Sequence, residues 1–283
     1  MKRISIITPL YNGSKFVKSI IENAKKLNFN VKKYDYEVEL VCVNDKPGDI
    51  LNFKMPHEII FKLIENHHNL GIQQSRVNGL KESTGDYIIF LDQDDELIVD
   101  NYISQLNKIK SADIVVGNLY IDFNNKKKKV FRNRKAMVDA IKEKTLLEYV
   151  NMITSPGQCL IRRNIIPVDW INSIMKINGA DDLLLWLLLY DKGARFAVNE
   201  EIVYYHKTTF LGNLSSNSQA MFSSEKELIQ ILEKIGYPSE KIDILQETFI
   251  LNHNLKLYDL WNLRLTIIRK IFYSIKFRLI NKF

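Results

Sequence analysis

Four acidic residues crowd into five positions directly after a short apolar segment. The acids are Asp92, Asp94, Asp95 and Glu96, and the apolar segment comprises residues 87–91. Such a run predicts a buried strand that delivers the carboxylates at its C-terminal end. Like charges at this density repel unless a cation compensates them, and oxygen ligands suit Mg²⁺ or Mn²⁺. The segment therefore predicts a divalent metal site, with Asp95 and Glu96 in structural roles; a solvated turn with a helix cap is the alternative.

A second pair of carboxylates, Asp181 and Asp182, stands immediately before a strongly apolar stretch. Residues 182–190 have the composition of a buried helix, and Lys192-Gly193 is a typical helix end. Residue types alone favour the aspartates as a cap on this helix, because aspartate accepts hydrogen bonds from the first helical N–H groups. A general base that takes a proton from a substrate is the alternative role.

The segments around these acids alternate between two periodicities. Short β-branched apolar runs predict buried parallel strands, and apolar residues at helical spacing predict helices between them. This order is typical of an α/β fold with a Rossmann-like, mostly parallel sheet flanked by helices. The predicted strands are residues 4–8, 37–43, 59–65, 87–91, 113–119 and 201–206, and the predicted helices are residues 14–27, 73–83, 100–109, 145–152 and 182–190.

The pattern becomes all-helical from Ser215 onward. We therefore predict an α/β domain, residues 1–214, and a helical C-terminal region, residues 215–283, that ends in a basic amphipathic tail. Residues 124–130 contain four consecutive lysines and are predicted to form an exposed hairpin tip.

The positive charge of the chain is concentrated in that tail. Of 283 residues, 46% are hydrophobic and 26% are charged, which is typical of a globular protein with a proper core. The formal net charge is +7, and residues 261–283 hold six Lys and Arg with no Asp or Glu, so the remainder is nearly neutral. No nucleic-acid-binding motif accompanies this charge, so an anionic surface such as a membrane is favoured over nucleic acid.

The same tail has the spacing of an amphipathic helix. Its apolar residues Leu260, Leu263, Ile267, Ile271 and Ile275 recur at helical intervals among basic side chains. Such a helix binds at a membrane interface. Packing on the α/β domain or dimer formation are the alternatives.

Cysteine usage and the N-terminus indicate where the chain works. Cys42 and Cys159 have no metal-ligand spacing and are expected to be buried, reduced thiols. The first apolar run is too short for a signal peptide and is broken by Pro9, and no stretch approaches the ~20 apolar residues of a membrane span. The expected location is cytoplasmic, with the tail as a peripheral contact to the inner face of the cell membrane.

Five motifs in order resemble the large inverting glycosyltransferase family two, which has the GT-A fold. The resemblance covers residues 2 to about 215 and extends to the sugar transferases of bacterial capsule and exopolysaccharide synthesis. It implies transfer of a sugar from a nucleotide diphosphate donor, by preference a UDP-sugar, to a saccharide acceptor hydroxyl. The motifs are Ile6-Ile-Thr-Pro-Leu-Tyr-Asn12, Val43-Asn-Asp45, Asn69-Leu-Gly71 with Ser75-Arg76 and Gly79, Phe90-Leu-Asp92-Gln-Asp94-Asp95, and Gly179-Ala-Asp181-Asp182-Leu-Leu-Leu-Trp186.

The resemblance also implies which residues bind the nucleotide. Tyr11 would lie near the base or ribose, Asp45 would accept a hydrogen bond from the uracil ring, and Arg76 would lie near the diphosphate. After Asp45 the family usually has Gly-Ser and another Asp, whereas this chain has Lys46-Pro47-Gly48-Asp49. The implied nucleotide-binding set is Pro9, Tyr11, Asn12, Asp45, Asn69, Gly71, Arg76 and Asp92.

The resemblance also implies which residues bind the metal ion and which residue is the general base. Asp94, the last acid of the DxD motif, would bind Mn²⁺ or Mg²⁺, with His206 as a second ligand; an ordinary strand-end histidine is the alternative. Asp182 would be the general base, and Asp181 stands where the family usually has glutamate. A lipid-linked saccharide is an acceptor that would suit the basic tail.

Two other classes remain for comparison. The first is a catalytically silent nucleotide-sugar-binding or scaffold protein of the same fold, against which the intact Asp94 and Asp182 argue. The second is nucleotidyl transfer, which also uses clustered aspartates but tends to need a glycine-rich, lysine-bearing phosphate loop that the sequence lacks. The oligomeric state is open.

Overall fold

A computed structural model describes residues 1–123, 126–207 and 217–254. Within these ranges the chain forms one nine-stranded sheet in the order β3-β2-β1-β4-β8-β6-β9-β5, with β7 paired to β6. Helices cover it. The strands are β1 Lys2–Leu10, β2 Tyr36–Asn44, β3 Ile60–Glu65, β4 Tyr87–Phe90, β5 Glu96–Leu97, β6 Ile114–Phe123, β7 Lys126–Lys129, β8 Cys159–Arg162 and β9 Phe196–His206, and the helices are α1 Ser14–Lys32, α2 Ile72–Glu82, α3 Tyr102–Lys108, α4 Arg134–Ala140, α5 Glu143–Glu148, α6 Val168–Asn172, α7 Asp181–Asp191, α8 Ser218–Lys234 and α9 Ser239–Asn254.

The first half of the sheet is parallel, as the alternation of strands and helices predicts. β1 lies between β2 and β4 and pairs with both in parallel, and β2 pairs with β3 in the same sense. Ile4, Ile6 and Ile7 of β1 are fully buried, as expected of a central strand covered on both faces. Helix α1 extends beyond the predicted residue 27, because Leu27 and Val31 continue its buried stripe at helical spacing.

The second half of the sheet mixes both directions. β8 pairs in antiparallel fashion with β4 and β6, whereas β6 and β9 are parallel. β9 begins at Phe196, before the predicted residue 201, and the Phe196 ring stacks on Tyr190 of α7 with centroids 4.2 Å apart. The predicted lysine hairpin is present as the β6–β7 pair, and its tip, residues 124–125, lies outside the described residues.

The described helices of the C-terminal region share the core of the sheet. Leu228 and Leu232 of α8 and Leu245 of α9 are fully buried in the same apolar cluster as the strands. The predicted boundary at residue 215 and the basic tail, residues 261–283, lie outside the described residues, so the two-domain division stays a prediction. Among the described helices, none has the length and apolar character needed to span a membrane. Cys42 and Cys159 are free and buried, and burial raises the pKa of Cys42 to about 12.

A glycine sets the distance between α2 and the central strands. A Cβ atom at Gly79 would lie 2.4 Å from Ile7 Cγ2 and 3.1 Å from Val43 Cγ2. Both neighbours are fully buried and have little room to move. The close approach matters for the site, because α2 carries Arg76 one turn earlier.

Gly79→Ala should therefore lower the free energy of unfolding, although alanine is the better helix former. Helix propensity alone would stabilise the variant by about 1 kcal/mol, whereas overpacking costs about 1–3 kcal/mol. Chemical denaturation of this variant beside Lys81→Ala, an exposed change in the same helix, measures the balance. A rise in the unfolding midpoint of Gly79→Ala would contradict the close packing.

Candidate active site

The C-terminal ends of three parallel strands meet at one edge of the sheet. In the register of the sheet, Pro9 of β1 lies beside Val43 of β2, and Ile7 of β1 lies beside Phe90 of β4. The residues that follow these strands therefore lie close together. A cleft of about 850 Å³ opens at this edge. This is the position where ligands bind in open α/β sheets.

The cleft brings together nearly all of the predicted site residues. Asn12 is the exception: it is not among the lining residues, and its Oδ1 accepts a hydrogen bond from Lys46 Nζ at 2.5 Å. The predicted residues that line the cleft are Pro9, Tyr11, Asp45, Asn69, Gly71, Arg76, Asp92, Asp94, Asp181, Asp182 and His206.

A buried guanidinium joins the two acidic motifs. Arg76 Nη2 donates to Asp92 Oδ1 and Nη1 donates to Asp181 Oδ2, each at 2.6 Å. Burial lowers the pKa of Arg76, but the charges of Asp92 and Asp181 outweigh burial and raise the pKa overall. The sequence placed Arg76 at the donor diphosphate; in the structure its Nη groups are engaged by two aspartates, so it first neutralises and positions them.

Asp182 has a different environment from its neighbour. Its carboxylate accepts hydrogen bonds from Asn151 Nδ2 at 2.9 Å and from the Leu183 amide at 2.7 Å. Burial, together with the charge of Asp181, raises the pKa of Asp182 to about 7. Since Asp181 forms an ion pair with Arg76, Asp182 is the carboxylate of the two that is suited to exchange a proton near neutral pH.

The acid cluster after β4 contains a residue that holds His206. Asp95 is buried and accepts hydrogen bonds from His206 Nδ1 at 2.9 Å, from the Lys207 amide at 2.8 Å and from the Tyr204 hydroxyl. With Nδ1 donating to Asp95, His206 presents Nε2 as its remaining nitrogen, the arrangement common to metal-binding histidines. The structural role expected of Asp95 thus includes fixing the histidine ring.

Asp94 and His206 lie in the same part of the cleft. Burial and then the charge of Asp95 raise the pKa of Asp94. Burial lowers the pKa of His206, but the hydrogen bond and charge of Asp95 and the charges of Asp92 and Asp94 give a net increase. In the described part of the chain, no three Asp, Glu, His or Cys side chains are grouped so as to enclose a metal ion. The donor set therefore fits an ion that takes one or two protein ligands and completes its shell with phosphate oxygens and water.

Asp45 organises the loop before α2. Its carboxylate accepts hydrogen bonds from the Leu70 amide at 2.8 Å, the Gly71 amide at 2.9 Å and Asn66 Nδ2 at 2.8 Å. Gly71 has φ 84°, and a Cβ atom there would lie 2.9 Å from Asn178 Oδ1, so glycine is required. A carboxylate has about four lone-pair sites, which leaves Asp45 room for one further donor. Its role toward a uracil ring stays a prediction.

Gln93, the middle residue of the DxD motif, is a functional residue that the sequence did not reveal. Its Oε1 accepts from the Tyr11 amide at 3.0 Å, and its Nε2 donates to the Tyr11 carbonyl at 3.1 Å. The two bonds clamp the backbone that carries the half-exposed Tyr11 ring. No local signal marks this role, because the partners are 82 residues apart.

Ser155 is a second residue whose role depends on tertiary contacts. The segment from Ser155 to Gln158 reads equally as a plain turn or as part of a sugar or acceptor pocket, and it forms a single helical turn with a capping box. Ser155 Oγ donates to Asp92 Oδ2 at 3.0 Å and lies 2.8 Å from the Tyr204 hydroxyl. It therefore connects Asp92 with Tyr204, whose hydroxyl donates to Asp95, the partner of His206.

Comparison with known proteins identifies the class of protein to which this fold and site belong. The family model described as glycosyl transferase family 2 matches residues 5–168, and the chain belongs to that family. Among curated relatives, the chain is 26% identical over 212 residues to a poly(ribitol-phosphate) beta-glucosyltransferase of Bacillus spizizenii, covering 72% of this chain and 32% of the relative. It is 24% identical over 243 residues to the poly(ribitol-phosphate) beta-N-acetylglucosaminyltransferase TarS of Staphylococcus aureus, covering 83% and 40%. The chain thus spans about a third to two fifths of the length of these relatives.

Solved structures show the same fold. The chain superposes on residues 1–349 of S. aureus TarS in complex with UDP-GlcNAc with a TM-score of 0.64 at 16% identity, over 92% of this chain and 77% of the other. A mannosyltransferase from Pyrobaculum calidifontis in complex with GDP-Man and Mn²⁺ gives a TM-score of 0.54 at 15% identity, over 88% and 70%. The predicted GT-A fold, with its mostly parallel sheet and helical C-terminal region, is confirmed.

The raised pKa of Asp182 has a consequence for stability. In the unfolded chain an aspartate has a pKa of about 3.9, so between pH ~4 and ~7 the folded protein holds the extra proton and the free energy of unfolding falls as pH rises. Asp182→Asn removes this dependence. The gain in unfolding midpoint of the variant over wild type should therefore grow between pH 5 and pH 8. Asp191→Asn, an exposed change at the other end of α7, is the matched control, and a gain at Asp182 that stays constant with pH would contradict the assignment.

Proposed function

We propose that the chain is a metal-dependent inverting glycosyltransferase that moves a sugar from a UDP-sugar to a saccharide hydroxyl. The observation that carries the proposal is the pair Asp181–Asp182 at the cleft wall. One aspartate is neutralised by Arg76, and the other has a pKa of about 7 and faces the cleft. A carboxylate with this pKa is half-ionised at neutral pH and matches the requirement for a general base.

The reaction follows from this arrangement. Asp182 takes the proton of the acceptor hydroxyl while that oxygen attacks the anomeric carbon from the face opposite the leaving nucleoside diphosphate. One carbon–oxygen bond forms, the bond to the diphosphate breaks, and configuration at the anomeric carbon inverts. No covalent intermediate with the protein is needed. Asp181 and Asp92 are held by Arg76, so they do not compete for the proton.

Asp94 and His206 would hold Mn²⁺ or Mg²⁺. When bound, the ion supplies positive charge to the diphosphate as that group leaves. The remaining nucleotide contacts are proposed for Pro9, Tyr11 and Asp45, of which Tyr11 presents an exposed ring suited to a planar base. The preference for UDP is supported by the family resemblance and by the UDP-GlcNAc complex of TarS, which has the same fold.

The biological setting is proposed from the relatives and the tail. Curated relatives are named as transferases acting on poly(ribitol-phosphate) and, in Campylobacter jejuni, on an undecaprenol-linked oligosaccharide. They support a role in bacterial surface polysaccharide synthesis, with an acceptor that is saccharide and lipid-linked. The basic tail would bring the cytoplasmic enzyme to the inner face of the membrane.

Donor binding is tested by thermal shift with UDP or GDP in the presence of Mn²⁺ or EDTA. A ligand at one hundred times its Kd stabilises the folded state by about 2.7 kcal/mol, which corresponds to roughly 5–10 °C for a chain of this size. We expect a Mn²⁺-dependent shift with UDP that is lost in Asp94→Ala and retained in Asp243→Ala, an exposed change on α9. Folded protein that shifts with no nucleotide would refute the donor site.

Turnover is tested by UDP release from a panel of UDP-hexoses and UDP-N-acetylhexosamines. Asp182→Asn should reduce kcat about 10²–10⁴-fold, the usual contribution of a general base, while the UDP thermal shift remains; Asp191→Asn is the control. Wild-type protein that binds UDP but releases it from none of these donors would instead favour the catalytically silent sugar-nucleotide-binding protein. An unchanged rate in Asp182→Asn would remove Asp182 from the chemistry.

A further inference from the structure

One wall of the cleft is built by α8, α9 and the segment that follows α5. Thr248 Oγ1 donates to a main-chain carbonyl of α5 at 2.8 Å, and Asn252 Nδ2, one turn further along α9, donates to the Tyr149 carbonyl at 3.1 Å. Two residues later the same segment carries Asn151, which bonds Asp182. The wall is therefore tied directly to the proposed general base.

Helix α8 is fixed on the other side of this wall. Ser224 Oγ accepts from the Ala180 amide and donates to the Ile177 carbonyl, both at 2.9 Å. These bonds hold α8 against the segment that leads into α7. As a result Met221 and Glu225 face the cleft on a supported helix.

Glu225 is a half-buried carboxylate whose orientation is fixed by a neighbouring histidine. His253 Nε2 donates to its Oε2 at 2.8 Å, and the two side chains are 15% and 14% exposed. The His253 ring packs against Phe222 with centroids 4.8 Å apart. Among the described residues no donor is bonded to Glu225 Oε1, so one oxygen is available to a ligand hydroxyl.

The cleft is strongly acidic. Within the described ranges, Arg76 is the one Lys or Arg that lines it, and Asp92 and Asp181 already engage this side chain. A nucleoside diphosphate needs a divalent cation to enter such a site, and that ion would lie at Asp94 and His206. Among the described residues no Lys or Arg lines the wall around Glu225, and the neighbouring His253 is already hydrogen-bonded to Glu225. The lining carboxylates are Asp45, Asp92, Asp94, Asp181, Asp182 and Glu225.

We propose that this wall is the acceptor subsite and that it selects an uncharged sugar residue, with Glu225 accepting a hydrogen bond from one of its hydroxyls. The inference rests on the proposed function, because it takes the donor to lie at the strand ends. Met221 and Phe249 provide apolar surface for the C–H face of a pyranose ring, and Asn151 and Asn252 provide amides. The lining is rich in carboxylates, and its Arg76 is already paired with Asp92 and Asp181, so within the described residues a phosphate finds no counter-charge and charge selects against anionic acceptors.

The proposed selection of an uncharged acceptor distinguishes this chain from two of its relatives. The B. spizizenii and S. aureus proteins are named for poly(ribitol-phosphate), a phosphodiester polymer with one negative charge per unit. The carboxylate-rich wall of this chain does not favour such an anion. Its acceptor is a neutral glycan unit, and any phosphate in the natural acceptor lies outside the cleft.

The test measures acceptor binding directly on the full chain by saturation-transfer NMR with UDP and Mg²⁺ present. The probes are methyl β-glucopyranoside and methyl N-acetyl-β-glucosaminide against glucose 6-phosphate and ribitol 5-phosphate, at one ionic strength. We expect the neutral glycosides to bind at least five-fold more tightly than the phosphates. Glu225→Gln should weaken glycoside binding several-fold, and Glu225→Lys should abolish or reverse the preference. Glu240→Lys, the same charge change on an exposed part of α9, should leave it intact.

The outcomes are separable from those of the proposed function. UDP binding is checked first by thermal shift, and folded protein without a shift would refute the donor assignment. In that case the relative affinities for glycosides and phosphates are measured on the nucleotide-free chain, and they still test the acceptor inference. Tighter binding of the phosphates, binding of neither class, or a preference unchanged in both Glu225 variants would overturn it. If Glu225→Lys does not fold, Glu225→Gln alone decides.

Discussion

The site depends on one buried guanidinium. Arg76 is 3% exposed and bridges Asp92, at the end of β4, to Asp181, at the start of α7. Two carboxylates in such a place repel each other, and removing the cation from a buried ion pair is typically more damaging than replacing the whole pair. The bridge therefore fixes the distance between the acid cluster after β4 and the helix that carries Asp182. It also makes two adjacent aspartates chemically different, because one is paired and the other is not.

A chain of hydrogen bonds extends this order across the cleft. Ser155 connects Asp92 to Tyr204, and Tyr204 and His206 both bond Asp95. These residues come from the segment after β4, from β9 and from the turn before β8. Strand β8 pairs with β4, and β5, which directly follows Asp95, pairs with β9, so the sheet brings the three segments together. Buried polar groups are tolerated when their partners are satisfied, and a satisfied network holds its members in one arrangement. Asp95 thereby serves as the internal counterpart of His206, while Asp94 remains directed to the cleft.

The distribution of charge gives the two ends of the cleft different requirements. The proposed donor end collects carboxylates around Asp94 and His206, where a diphosphate would enter with a divalent cation. The opposite wall, from α8 and α9, presents Glu225 beside apolar and amide groups. The low-dielectric walls of a cleft strengthen the electrostatic field of the charged groups that line it. Under the proposed function, one acidic cleft would accept an anionic donor with its metal and a neutral acceptor, while an anionic acceptor would lack a counter-charge within the described part of the chain.

The sequence by itself determined the alternation of strands and helices and the acids at the end of β4. These follow from local rules, since periodicity defines the elements and parallel strands bring their C-terminal ends to one edge. Most of the eleven predicted residues that line the cleft were obtained from the resemblance to a known family. Local rules did not predict that β9 begins at Phe196, or that the Asn12 side chain bonds Lys46 and lies outside the cleft lining. Only the tertiary structure decided that Arg76 pairs with Asp181 while Asp182 is bonded by Asn151, that Gln93 holds the Tyr11 backbone, and that Glu225 faces the same cleft. Each of these depends on contacts between residues that are distant in sequence. Burial also matters, because it sets the proton affinity of a carboxylate, and the burial of a single carboxylate cannot be deduced from sequence periodicity.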